Sequence, residues 1–144
     1  MRVINDIIVH CTANKATSKI HVADIDKMHR QRGFKGIGYH YVILPDGTIE
    51  AGRPPSQPGA HCKGHNEHSI GIAYVGGLDE HGKPADTRTP QQKESLRKLI
   101  ARLTLLYRCP THGHRDYTDQ KACPCFDAKN EYAGILETIN SDLK

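Results

Sequence analysis

The chain has 144 residues, 20 Lys plus Arg against 16 Asp plus Glu, a formal net charge of +4 and 10 histidines. That length suits one domain over 1–144 that buries roughly two-thirds of its unfolded surface, so neither disulfides nor a metal is needed merely to fold it. The charge excess favours an anionic partner, a cell-wall polymer or a nucleic acid, but the basic residues are scattered and Trp is absent, which leaves little from which to build a base-stacking platform. Five cysteines, Cys11, Cys62, Cys109, Cys123 and Cys125, stand at irregular spacing and read as reduced thiols rather than a secreted disulfide framework. No apolar run approaches the ~18 residues of a membrane span. The start Met1-Arg2-Val3-Ile4-Asn5-Asp6 breaks its apolar stretch with polar residues, so no signal peptide, no membrane partner and synthesis in the cytoplasm are expected.

Val3 to Cys11 is rich in β-branched residues and reads as a buried central strand, with His10 at its C-terminal end. That end is where sites form in open α/β sheets. His21 to Arg32 carries Val22, Ile25 and Met28 at helical spacing, with Gly33 as a stop. Tyr39-His40-Tyr41-Val42-Ile43-Leu44 reads as a strand joined through Pro45-Asp46-Gly47 to Thr48–Gly52, a hairpin with Tyr39 and Tyr41 on one face and His40 on the other. Arg53 to Glu67, rich in Pro and Gly, is a long loop bearing His61, Lys63, His65 and Asn66, groups suited to a polar substrate. Ser69 to Val75 alternates as a strand, and Leu78 to Arg88 is a polar loop. Thr89-Pro90-Gln91-Gln92 opens the strongest helix with a capping box. That helix runs to about Arg108, with Leu96, Leu99, Ile100, Leu103, Leu106 and Tyr107 as its apolar face. Asp127 caps a last helix through Tyr132, Ile135, Leu136 and Ile139. The whole reads as α/β, a central mixed β-sheet flanked by about three α-helices.

Between the last two helices, His114-Arg115-Asp116-Tyr117-Thr118-Asp119-Gln120-Lys121-Ala122-Cys123-Pro124-Cys125 packs a histidine, a lysine and two cysteines into one loop. One reading is half of a zinc site, because zinc accepts imidazole and thiolate together, with His10 as third ligand and an open fourth position. The spacing matches no compact Cys-x-x-Cys zinc pattern, so a redox pair at Cys123 and Cys125, or two buried thiols, fits the residues as well.

Taken in order, Val9-His10-Cys11-Thr12-Ala13, Gly38-Tyr39-His40-Tyr41, Asp46-Gly47-Thr48-Ile49-Glu50-Ala51-Gly52-Arg53, His61-Cys62-Lys63-Gly64-His65-Asn66, Ser69-Ile70-Gly71-Ile72, Val75-Gly76-Gly77, Gly113-His114-Arg115-Asp116 and Lys121-Ala122-Cys123-Pro124 make a pattern covering nearly the whole chain. It resembles the zinc-dependent N-acetylmuramoyl-L-alanine amidases of the type 2 amidase and peptidoglycan-recognition superfamily, and most closely the small lysozyme-amidases of T-odd bacteriophages. The resemblance implies zinc held by His10, His114 and Cys123, chemistry by Tyr39 and Lys121, and substrate contacts from His61, Asn66 and His40. Cys125 stands where close relatives carry a small residue and is expected not to ligate. The loop after His114 is one residue longer than in those relatives, which makes His112 the alternative ligand. The implied substrate is peptidoglycan, cut between N-acetylmuramic acid and L-alanine by a monomer that reaches the wall after release. The competing reading is a module that recognises peptidoglycan without cutting it. RNA polymerase binding, which the phage lysozymes also show, is disfavoured because their N-terminal extension is mostly missing before Val3.

Overall fold

A computed structural model describes residues 2–142. Its main sheet has five strands: β1 (Asp6–Cys11), β3 (Tyr41–Ile43), β4 (Ile49–Ala51), β5 (Ser69–Tyr74) and β7 (Thr111–Gly113). They lie in the order β4-β3-β5-β1-β7, with only the β3–β4 hairpin antiparallel. A two-residue ribbon pairs β2 (Asn14–Lys15) with β6 (Gly77–Leu78). Three helices complete the fold: α1 (Val22–Gln31), α2 (Pro90–Tyr107) and α3 (Ala128–Asp142).

β1 is buried along its whole length because it lies between two parallel neighbours with both faces covered, which accounts for its unbroken Ile7-Ile8-Val9 run. On one face, Ile7, Val9 and Cys11 pack with Ile70, Ile72, Tyr74 and Ile43 against Leu96, Leu99, Ile100 and Leu103 of α2 and Tyr132 of α3. On the other, Ile25 of α1 packs with Ile37, Val42, Leu44 and Val75. Val3 falls outside the strand and is exposed, since ladder pairing with β5 begins at Asp6.

The strong helix is fixed at its start by the capping box: Gln92 N–H donates to Thr89 Oγ1 and Thr89 N–H to Gln92 Oε1, both at 3.0 Å. The Gln92 amide then donates to the carbonyls of Ile43 (3.1 Å) and Val75 (3.0 Å), so one buried side chain caps the helix and ties it to the sheet. Leu106, expected on the apolar face, is exposed, because the facing layer ends at Leu103 and Thr104. In α1 the buried residues are Ile25 and His29, while Met28 turns to solvent. Asp127 caps α3 by accepting from Asn130 N–H.

The hairpin strand is shorter than its apolar pattern suggests, because the chain bends at His40 and the ladder starts at Tyr41. Tyr39 and Tyr41 therefore do not share a face. Tyr41 packs against the α2 side, and Tyr39 joins the α1 side beside His10.

Candidate active site

The site forms where β1 and β7 end together. Val9 pairs with Gly113 in parallel register, so the next residue on each strand, His10 and His114, arrives side by side, with ring centroids 4.6 Å apart. His10 belongs to the alternate set of β1, opposite Ile7, Val9 and Cys11, and points away from the α2 core. After β7 the chain turns through a short 3-10 segment, His114–Asp116, held by Gly113 N–H donating to Asp116 Oδ2 at 2.8 Å. The loop then returns, with Arg115 N–H on the Cys123 carbonyl at 2.7 Å and Tyr74 OH on the Pro124 carbonyl at 2.6 Å. The Cys123–Pro124 bond is cis. Gly113 makes room for that proline: a Cβ there would lie 2.8 Å from Pro124 Cδ.

One ligand atom each from His10, His114 and Cys123 lies within 4.8 Å of the other two. Two imidazoles and a thiol converging in this way fit a soft or borderline divalent metal, with the three-ligand count of an open site. The protonation states suit that use. Burial, then the neighbouring His61 and His114, hold His10 well below the ordinary imidazole range, and burial, then Lys121, lowers His114. Both rings are thus neutral near pH 7. The Cys123 thiol is pushed up by its side-chain hydrogen bond with Cys11 and by burial, while Cys11 N–H lies 3.1 Å from Cys123 Sγ, ready to donate to a thiolate. A metal ligand must shed its proton when the cation arrives.

Around these three residues opens a cleft of about 640 Å³ that Tyr39 and Lys121 also line. Burial, then Cys123, raises the Tyr39 phenol, so it stays a neutral hydroxyl and donor. Arg32 and Lys63 join Lys121 on the cleft, and among the described residues no Asp or Glu lines it. Arg32 was not singled out in the sequence; it closes α1 just before Gly33, which was the available signal.

The residues expected to touch substrate separate. His61 and Asn66 line the cleft, but His61 is buried, with Nδ1 2.8 Å from His10 Nε2 and Nε2 3.2 Å from Ser69 Oγ. Asn66 Oδ1 accepts from the backbone N–H groups of His61 and Cys62, both at 2.9 Å, and so pins the loop. His40 does not reach the cleft. It is 1% exposed, its Nδ1 accepts from Gly71 N–H and its Nε2 lies 2.8 Å from the Gln57 carbonyl. The bend that brings Tyr39 to His10 turns His40 beneath the 53–60 loop. His112, the alternative ligand, alternates away from His114 along β7, and its Nδ1 lies 2.8 Å from Asp6 Oδ1. Cys125 is not among the three converging residues, and its Sγ lies 4.0 Å from Cys11 Sγ.

Residues 1–126 match the family described as N-acetylmuramoyl-L-alanine amidase. The chain belongs to this amidase family. The amidase is 42% identical over 123 residues to the endolysin of Escherichia phage T7, covering 85% of this chain and 82% of that protein. It is 40% identical over 139 residues to the endolysin of Enterobacteria phage K11, covering 96% and 91%. Among solved structures it is similar to the endolysin amidase LysCS from Clostridium intestinale, with a TM-score of 0.78 and 36% identity over 95% of this chain and 84% of that one. No helix among the described residues is long and apolar enough to cross a membrane.

Proposed function

We propose that the amidase hydrolyses the bond between N-acetylmuramic acid and L-alanine with zinc held by His10, His114 and Cys123. The observation that carries this reading is the convergence of two neutral imidazoles and a thiol in a cleft whose charged lining is wholly cationic. Zinc, when bound, supplies Lewis acidity that polarises a carbonyl and makes water a nucleophile near neutral pH.

The chain's own groups do the rest. Lys121, two residues before Cys123 on the same loop, offers an ammonium donor to the oxyanion that forms as the amide carbon becomes tetrahedral. Tyr39, with its ring 5.3 Å from that of His10, offers a neutral hydroxyl that orients the attacking water or hands a proton to the departing amine. Arg32 and Lys63 suit the carboxylates of a stem peptide. Asn66, which pins the 61–66 loop through the backbone N–H groups of His61 and Cys62, holds the wall that receives the sugar and its first residues.

The competing reading, recognition without cleavage, has no use for a metal trio beside a phenol and a lysine. On this reading the amidase acts as a monomer on the wall after release from the cell that makes it. The test is peptide release from purified peptidoglycan by native, chelator-treated and zinc-restored protein. Activity lost on chelation and regained with zinc is expected. Zinc binding and wall retention without cleavage in any arm would make the chain a recognition module.

A further inference from the structure

His61 occupies an unusual place for a histidine on a substrate-facing loop: it lies behind a metal ligand. Its ring is wedged against β5 where a side chain would collide with it, since a Cβ on Gly71 would lie 2.5 Å from His61 Cδ2 and one on Gly59 2.6 Å from the same atom. Two glycines therefore keep the slot open. Its backbone is held by Asn66 Oδ1. Both ring nitrogens have partners, His10 Nε2 at 2.8 Å and Ser69 Oγ at 3.2 Å.

The proton positions along this chain follow from its far end. Ser69 has one hydroxyl proton, and it donates that proton to the His65 carbonyl at 2.7 Å, a group that can only accept. Towards His61, Ser69 Oγ must then accept, so His61 Nε2 carries the proton. A neutral imidazole has one N–H, which leaves His61 Nδ1 as an acceptor. His10 Nε2 must donate to it, and the lone pair of His10 falls on Nδ1. Both rings are buried and neither has a carboxylate among its hydrogen-bond partners, so each keeps a single ring proton.

We propose that His61 is a positioning residue that sets the tautomer of His10 through the run His65 carbonyl, Ser69 hydroxyl, His61 ring, so that Nδ1 of His10 is the nitrogen presented to the metal. The inference rests on the metal reading of the site, and it assigns His61 a part in metal binding instead of direct substrate contact. Outer partners of this kind fix the ring's orientation and raise its basicity as a ligand.

Two measurements test it on the full chain. A long-range nitrogen–proton spectrum of the metal-free protein reads the ring tautomers: His10 and His61 are both expected as Nε2–H forms, and an Nδ1–H form of His10 would overturn the proposal. Zinc affinity, measured by competition with a chromogenic chelator, is expected to fall about 10- to 100-fold in His61→Leu. His61→Asn, whose amide oxygen can stand where Nδ1 accepts, is expected to stay within a few fold of the parent. Unchanged affinity in His61→Leu, or equal loss in both variants with unchanged thermal midpoints, overturns it; if the midpoints fall, the ring spectrum decides. Failure of the parent to bind zinc would instead sink the metal reading, and the ring spectrum would still settle the tautomers.

Discussion

Tyr39 and Lys121 line the same cleft from separate loops, and neither is among the three converging residues. Removing the Tyr39 hydroxyl in Tyr39→Phe keeps the ring that packs on His10, and Lys121→Met keeps the aliphatic stem. Each is expected to lower kcat for peptide release by about 10²- to 10³-fold, the usual cost of one oriented donor, with bound zinc per chain unchanged. Activity lost together with zinc would assign the residue to the metal site instead. His40 gives a second prediction, of opposite kind. Its Nδ1 can accept from Gly71 N–H only while the ring is neutral, and burial pushes it down to about 4. In the unfolded chain an ordinary histidine takes up a proton at roughly 6.5, so between these values the unfolded state binds the extra proton. Stability contributed by neutral His40 is full above about pH 6.5 and is lost as pH falls towards 4, by about 3 kcal/mol. His40→Gln is expected to flatten that part of a denaturant-midpoint profile, and an unchanged slope would count against the assignment. The nearness of His10, His114 and Cys123 was legible because His10 ends an apolar strand and His114 and Cys123 flank a short loop, though spacing alone left a redox pair or two buried thiols open. The role of His40 was not, since a bend at His40 reverses the alternation that a regular strand would give.

Elements with local causes read clearly. The Thr89–Gln92 capping box, the apolar spacing of α2 and the Pro45-Asp46-Gly47 turn each lie within a few residues of what they determine. β7 and the β2–β6 ribbon did not, because three residues or two leave no periodicity and exist only through partners distant in sequence. Yet β7 places His114, and its geometry depends on Gly113, where a Cβ would lie 2.8 Å from Pro124 Cδ and 3.7 Å from Ala128 Cβ. Gly113→Ala is therefore expected to push the ligand loop outward, costing about 1 to 3 kcal/mol and weakening zinc binding. Gly134, within α3 and with nothing within 4 Å of an added Cβ, is the matched control. Gly134→Ala is expected to stabilise by about 1 kcal/mol through helix propensity alone, leaving zinc affinity untouched. Equal effects at the two positions in urea melts and chelator competition would show that the packing of Pro124 on Gly113 does not hold the loop.

At the scale of the whole molecule, the proposed metal site joins parts of the chain that are far apart in sequence. Cys11 and Cys123 meet across 112 residues, one at the end of β1 and the other on the loop that precedes α3. Without a metal, that meeting depends on a thiol against a backbone amide, the Pro124 carbonyl on Tyr74 and the side-by-side ends of β1 and β7. A cation held by His10, His114 and Cys123 adds a cross-link that exists only in the folded chain. At zinc about a hundredfold above its Kd, such linkage contributes about 2.7 kcal/mol, less whatever the unfolded Cys and His residues bind. For a chain of this length that corresponds to a thermal midpoint about 10 °C higher with zinc than after chelation. The increment is expected to vanish in Cys123→Ser, whose midpoint should match the chelated parent whether or not zinc is present. Hydrogen exchange locates the effect: on chelation, amides of residues 114–125 should lose protection, while those of β5, buried along its length and paired on both sides, should keep it. Zinc that left both the midpoint and these amides unchanged would show that the sheet and α2 alone fix the loop, and that the metal adds chemistry to a site already rigid without it.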